Sequence, residues 1–147
     1  MSYTKRQIIE DAHAEIGLGI YAFDSDPEQY QLALRRLDSM MSEWESAGID
    51  LGYPGHENPG DSSLDEDSLL ENSKIMAVVK NLAVVLAPIY GKQASIHTIT
   101  SASKAYSDLC SAAIVAASAQ YQYPTIAGAG NRNAYKRSGI FMPLPTV

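Results

Sequence analysis

Residues 37–53 read LDSMMSEWESAGIDLGY, and within this stretch the sequence changes from one period to another. Tyr30, Leu34, Leu37, Met41 and Trp44 recur in steps of three and four, flanked by Ala33 and Met40, which is the apolar seam of a helix. Gly48 stands where such a helix ends, since the residue after the cap takes a positive φ that only glycine adopts without a Cβ penalty. Ile49, Leu51 and Tyr53 then alternate with Asp50 and Gly52, the pattern of a short strand or extended segment. The seam reads as core at Leu34, Leu37, Met41 and Trp44. An aromatic site around Trp44 is the competing reading, and periodicity favours core.

Working back towards the N-terminus, Asp26-Pro27-Glu28 opens this helix, with Asp26 at the cap and Pro27 at the first helical position. Before it, Thr4-Lys5-Arg6-Gln7 has the spacing of a capping box. Ile8, Ile9, Ala12 and Ile16 recur on one side of the helix that follows, and Gly17 and Gly19 end it. His13 falls on a largely polar side and reads as a surface histidine.

Working forward, residues 54–63 are a loop by every local signal. Residues 52–73 carry acids at Glu57, Asp61, Asp65, Glu66, Asp67 and Glu71 and no base. A solvated loop, a cation site and a subunit interface all fit this pattern, with Glu57, Asp61 and Asp65 the interface candidates. Asp61, Asp65 and Asp67 lack the alternating ligands and central glycine of an EF-hand. Ser68-Leu69-Leu70-Glu71 has capping-box spacing and predicts the start of a third helix. Its broad apolar face holds Ile75, Met76, Val79, Leu82, Val85 and Leu86, with Leu82, Val85 and Leu86 as core, and Pro88 ends it near Ala87. A fourth helix is expected over residues 93–121, with Ile96, Ile99, Ala102, Tyr106, Leu109, Ala113 and Ala116 along one side. Its second half is rich in alanine and serine. Ser111, Ala112, Ala116 and Ser118 are therefore candidates for a close subunit contact, with close packing inside the chain the equal alternative.

From Tyr123 the character changes again. Pro124, Pro143, Pro145, Gly128, Gly130 and Gly139 preclude a regular helix, yet Tyr123, Ile126, Tyr135, Ile140 and Phe141 are too apolar for an idle linker. An arm that orders on a partner satisfies both facts, with Tyr123, Pro124, Arg132, Tyr135, Lys136, Arg137 and Phe141 as its contact residues. Folding back on the chain's own helices is the other reading. The fold expected is all-α: a small bundle of about four helices over residues 1–122, with an acidic loop after the second and an extended arm over residues 123–147.

The chain has 147 residues and a net charge of −6, and the charge is unevenly spread. Residues 1–73 hold 16 acids and 4 bases, whereas residues 74–147 hold 1 acid and 7 bases. Complementary halves suit self-assembly, where unlike potentials steer encounter and fix register; two ordinary solvated faces would give the same count. The single cysteine, Cys110, excludes an internal disulfide and reads as a small buried helix residue. The polar start predicts no secretory signal, and no apolar run reaches the roughly 20 residues of a membrane span. No catalytic residues, metal ligands or cofactor are expected. His13, His56 and His97 share no ligand spacing, and no nucleophile elbow or phosphate-cradling loop is present. Glu43, Glu45, Glu57 and Asp61 lie near Trp44 and Tyr53, but with 17 acids such a grouping arises by chance. An acidic chain is also a poor general DNA binder.

Met40-Met41-Ser42-Glu43-Trp44, then Gly48-Ile49 and Gly52-Tyr53, resemble the tail accessory factors, or packaged-DNA stabilisation proteins, of short-tailed bacteriophages. The likeness continues in Glu57-Asn58-Pro59, Asn81-Leu82-Ala83 and Ala87-Pro88-Ile89-Tyr90, and extends over residues 5–125. The resemblance implies a head-to-tail adaptor of the virion, assembled in the host bacterial cytoplasm, that forms a twelve-subunit ring beneath the portal. It implies as partners the portal protein, further copies of the chain, the tail hub or nozzle, and packaged double-stranded DNA passing without sequence-specific contact, but no membrane. The arm at residues 123–147 would reach along the portal. A muramidase-like activity against peptidoglycan is the alternative that the resemblance raises.

Overall fold

In a computed structural model the described residues are 3–18, 27–56 and 61–120, and they form four helices and no strand. These are α1 (Lys5–Glu15), α2 (Pro27–Ser46), α3 (Asn72–Leu86) and α4 (Ile96–Gln120). The all-α expectation holds. The expected cap Asp26 and the arm residues Tyr123, Pro124, Arg132, Tyr135, Lys136, Arg137 and Phe141 lie outside the described residues. The chain divides into two compact units, Met1–Val115 and Ala116–Val147, so that α1, α2, α3 and most of α4 belong to the first.

The N-terminus of α1 shows how local chemistry starts a helix. Thr4 accepts from the Gln7 amide, and the Gln7 side chain accepts from the Thr4 amide at 3.0 Å, completing the capping box read from the sequence. The Lys5 and Arg6 amides, which have no partner inside the helix, donate to the carbonyls of Glu66 and Leu64 at 3.0 and 2.9 Å. The acidic loop thus caps α1 from outside.

α2 ends in a Schellman motif. The Ile49 amide donates to the Trp44 carbonyl and the Gly48 amide to Glu45, each at 2.9 Å, with Gly48 at φ +86°. The accompanying apolar contact places Ile49 beside Trp44, and both are buried. Residues 49–53 pair with no strand, and the expected extended run is broken at Gly52, which has φ +74° and donates its amide to Asp50 Oδ1 at 2.8 Å. Alternation across them nevertheless buries Ile49 and Leu51 while leaving Asp50 exposed.

α1, α2 and α3 pack on one another, joining Ile8, Ile9, Ala12, Leu34, Leu37, Met41, Trp44, Val78, Val79, Leu82 and Leu86 in one core. Of the seven residues expected in the core, Leu34, Leu37, Met41, Trp44, Leu82 and Leu86 are buried and Val85 is not, at 40% exposed. At about 100° per residue Val85 lies about 60° from Leu82 and only about 20° from the fully buried Val78 two turns earlier, so burial on that side fades towards the C-terminal end of α3. The apolar face is narrower than its composition, and Met76 and Ile89 are exposed with Val85.

Two further expectations are corrected. Ser68 does not cap α3, which begins at Asn72 after Glu71 with no side-chain cap. Ser68 is fully buried, and both its amide and its hydroxyl donate to the Tyr3 carbonyl, at 2.9 and 2.6 Å. Leu69 then turns through φ +52° and projects outward while Leu70 goes inward. The segment is spent on pairing with the start of α1, where Thr4 and Asp67 form an isolated antiparallel bridge.

His13, expected at the surface, is 5% exposed. It follows Ile9 by four and precedes Ile16 by three, so it sits on the edge of the buried stripe rather than opposite it. Its Nε2 lies 3.2 Å from the Tyr90 hydroxyl, and the rings of Tyr90 and Tyr30 meet it edge-on. Burial pushes the His13 pKa down from its ordinary value. A histidine kept neutral in the folded state and free to protonate in the unfolded one lowers stability as pH falls through and below the ordinary histidine range. Replacing His13 by Gln should flatten that part of a stability–pH curve measured by urea unfolding. An unchanged slope would show that His13 does not couple to folding.

α4 is held less closely than the other three. Ser95 caps it, its hydroxyl accepting from the Thr98 amide at 3.0 Å. The Asn81 side chain donates to the Ala102 carbonyl at 3.2 Å, and Lys80 donates to Ser101 at 2.9 Å. Tyr106 stacks at a tilt on Trp44 with centroids 5.5 Å apart. Of the side expected to pack, Ala102 is buried and Leu109 and Ala113 are half-buried, while Ile96 and Ile99 are exposed. Cys110, expected to be buried, is half-buried against the core.

Candidate functional site

The most heavily charged cluster of the fold is centred on Lys5, whose side chain is completely buried. Position 5 belongs to the same helical stripe as Ile8, Ile9 and Ala12, so α1 carries it into the protein rather than into water. The ammonium donates to Ser62 Oγ at 2.8 Å and to Glu66 Oε2 at 2.7 Å, and lies 3.8 Å from Asp38. It also sits 4.7 Å from the centre of the Tyr53 ring, within cation–π range. His56 meets Glu66 at 2.9 Å, and the Tyr53 hydroxyl donates to Asp38. Arg6 pairs with Asp65 at 3.0 Å on the surface nearby. Among the described residues no buried side-chain nitrogen or oxygen lacks a hydrogen-bond partner.

The electrostatics of this cluster favour holding over turnover. The Lys5 hydrogen bond holds the Glu66 carboxyl below the usual carboxylate range, with His56 adding to the effect. Burial, followed by the bond to Asp38, pushes the Tyr53 phenol well above its usual range. Glu66 is thereby held ionised and Tyr53 held protonated, each fixed in one state rather than poised to exchange a proton near neutral pH. Beside α1, the bond to Asp11 and then burial push the Tyr3 phenol up to about 12. The Lys5 bonds tie the acidic loop to α1, and the Tyr53 bond to Asp38 ties the segment after α2 to that helix.

Two concavities flank the cluster and the bundle. One, of about 610 Å³, lies between α2 and residues 49–56, bordered by Arg35, Asp38, Glu45, Asp50, Tyr53 and His56. The other, of about 430 Å³, runs between α3 and α4 and is bordered by Lys74, Met76, Lys80, Lys104, Asp108 and Leu109. Among the described residues no group of three or more His, Cys, Asp or Glu side chains is placed to hold a metal ion, and no helix is long and apolar enough to cross a membrane.

The interface candidates are dispersed. Ser111 and Ala112 are exposed on α4, with the Ser111 hydroxyl turned back on the Ser107 carbonyl at 2.9 Å. Ala116 and Ser118, exposed in the last turns of the same helix, fall in the second unit. Asp61 and Asp65 are exposed in the acidic loop, Asp65 with its partner Arg6, and Glu57 lies outside the described residues. Sequence reasoning missed Lys5, Asp38, Ser62 and the Glu66–His56 pair as a unit. A usable signal was present, since a lysine stands in register with an apolar stripe and a long acidic segment elsewhere has no base of its own.

These features describe a small all-α protein whose charged cluster clamps a loop onto the helices. A family model described as P22 tail accessory factor matches residues 1–141. The chain belongs to that family, and with it to the structural components of bacteriophage tails and virions.

Proposed function

We propose that the chain is a structural head-to-tail adaptor of a short-tailed bacteriophage. In this reading twelve copies form a ring beneath the portal, extend the DNA channel, retain the packaged genome and offer a platform to the tail hub or nozzle. Residues 1–122 form the adaptor domain, and residues 123–147 the arm that docks on the portal. The observation that carries the reading is the family match over residues 1–141. DNA slides through without sequence-specific contact, consistent with the acidic balance of the chain.

Peptidoglycan hydrolysis gains nothing from the geometry. Trp44 is buried rather than lining a sugar site, and Glu66 is tuned away from the general acid that such chemistry requires.

Mixing the chain with purified portal and counting bound copies by native mass spectrometry tests the adaptor. A full ring is expected on each portal, and no binding would remove the reading. Deleting residues 123–147 should abolish docking while leaving the helical circular dichroism signal of the remaining chain in place. Undiminished docking would show that the arm is not the anchor.

A further inference from the structure

The groove between α3 and α4 has a charge pattern that matches a surface on the same chain. Lys74, Lys80 and Lys104 border it with one carboxylate, Asp108, and Met76, 51% exposed, lies beside it. α3 has no acid within its span, although Glu71 just before it pairs with Lys74 at 3.3 Å, and Asp108 is the only acid in α4. The reverse pattern stands on α2. Arg35, Ser39, Ser42 and Glu45 are exposed and follow one another at three- and four-residue steps, with exposed Ser46 four residues after Ser42. No lysine or arginine occurs between Arg36 and Lys74. This ridge, which is the α2 rim of the concavity beside residues 49–56, is therefore mostly small side chains, which permit close approach of a second helix, with a cation at one end and carboxylates at the other, where Asp50 joins Glu45.

We infer that the outer ridge of α2 docks in the α3–α4 groove of a second copy, with Glu45 and Asp50 against its lysines and Arg35 against its Asp108. This deepens the ring reading and rests on it. Ridge and groove are different surfaces, so each copy offers one to each neighbour. That is a heterologous contact, which closes into a ring when the rotation permits. The lysines also supply apolar stems alongside Met76 and Leu109, so the groove buries hydrocarbon as well as pairing charge.

The test uses two full-length variants, Ser42→Lys with Glu45→Lys, and Lys74→Glu with Lys104→Glu. All four positions avoid the core, and circular dichroism checks that both variants fold. A mixture of ¹⁴N- and ¹⁵N-labelled chains is treated with carbodiimide at high protein concentration, and crosslinks carrying both isotopes are mapped. Wild type should give mixed-isotope links from Lys74 or Lys104 to Glu45 or Asp50. Each variant alone should lose at least tenfold of mixed-isotope dimer, and the two variants together should regain it. Loss without recovery in the mixture would overturn the contact. So would unchanged dimer in both variants, or a Lys74→Glu/Lys104→Glu variant that loses only binding to a short DNA duplex. Counting copies on portal in parallel separates the two readings. A wild-type ring whose variants still assemble fully sinks this contact alone, whereas no wild-type binding sinks the adaptor.

Discussion

Replacing Glu66 by Ala should destabilise the protein by about 3 kcal/mol, whereas replacing Lys5 by Met should cost only about 1 kcal/mol, although the two side chains share one hydrogen bond. The asymmetry follows from where each charge resides. Lys5 is fully buried, while the Glu66 side chain is 29% exposed. Without Glu66, the ammonium keeps Ser62 and an Asp38 oxygen at 3.8 Å, too little to offset its loss of water. Without Lys5, Glu66 and Asp38 turn to solvent and His56, and a methionine fills the space of the lysine stem. The double variant should resemble Lys5→Met alone, giving a coupling of about 3 kcal/mol in a double-mutant cycle. Urea unfolding followed by Trp44 fluorescence measures all three. Equal losses for the two single variants would mean that the ammonium is not the desolvated partner. The same cluster sets an acid limit. Because the folded state holds the Glu66 carboxyl below its ordinary value, its contribution is complete above the ordinary glutamate range and disappears as pH falls through the lowered one.

The helices were legible because each carries its own signals: the Thr4 box, the seam from Leu34 to Trp44, the glycine after α2 and the proline after α3. These features are local, and local chemistry decides them. The Lys5 cluster was not legible because its members come from positions 5, 38, 53, 56, 62 and 66, and only the packed chain brings them together. Ser68 shows the same limit from the other side. Its capping spacing is real, but a tertiary partner, the Tyr3 carbonyl, competes for the same hydroxyl and wins. His13 was misplaced by residue type, since its spacing from Ile9 and Ile16 pointed inward. The interface candidates rest on composition, which identifies small or acidic surfaces without saying what covers them.

Leu82→Ala should cost about 3 to 4 kcal/mol, and Val85→Ala less than about 0.5 kcal/mol in the free chain, although both belong to the apolar run of α3. Leu82 is fully buried in the core that α1, α2 and α3 share, so truncation loses transfer energy and leaves a cavity that close-packed neighbours only partly fill. Against a total stability of order 10 kcal/mol, that loss is enough to lower the population and thermal midpoint of the folded chain markedly. Val85 gives up only area that water already reaches. Thermal unfolding of the two variants in parallel measures the difference, and similar midpoints would show that α3 buries a wider arc than the one centred on Leu82. The comparison also discriminates folding from assembly. Val85 contributes little to the isolated fold, so an effect of Val85→Ala on ring formation without an effect on unfolding would place the exposed end of α3 around it in a contact between chains. If Val85→Ala acts on ring formation alone, the apolar residues of α3 divide between the subunit core and a contact between chains, and its composition overstates the core for that reason.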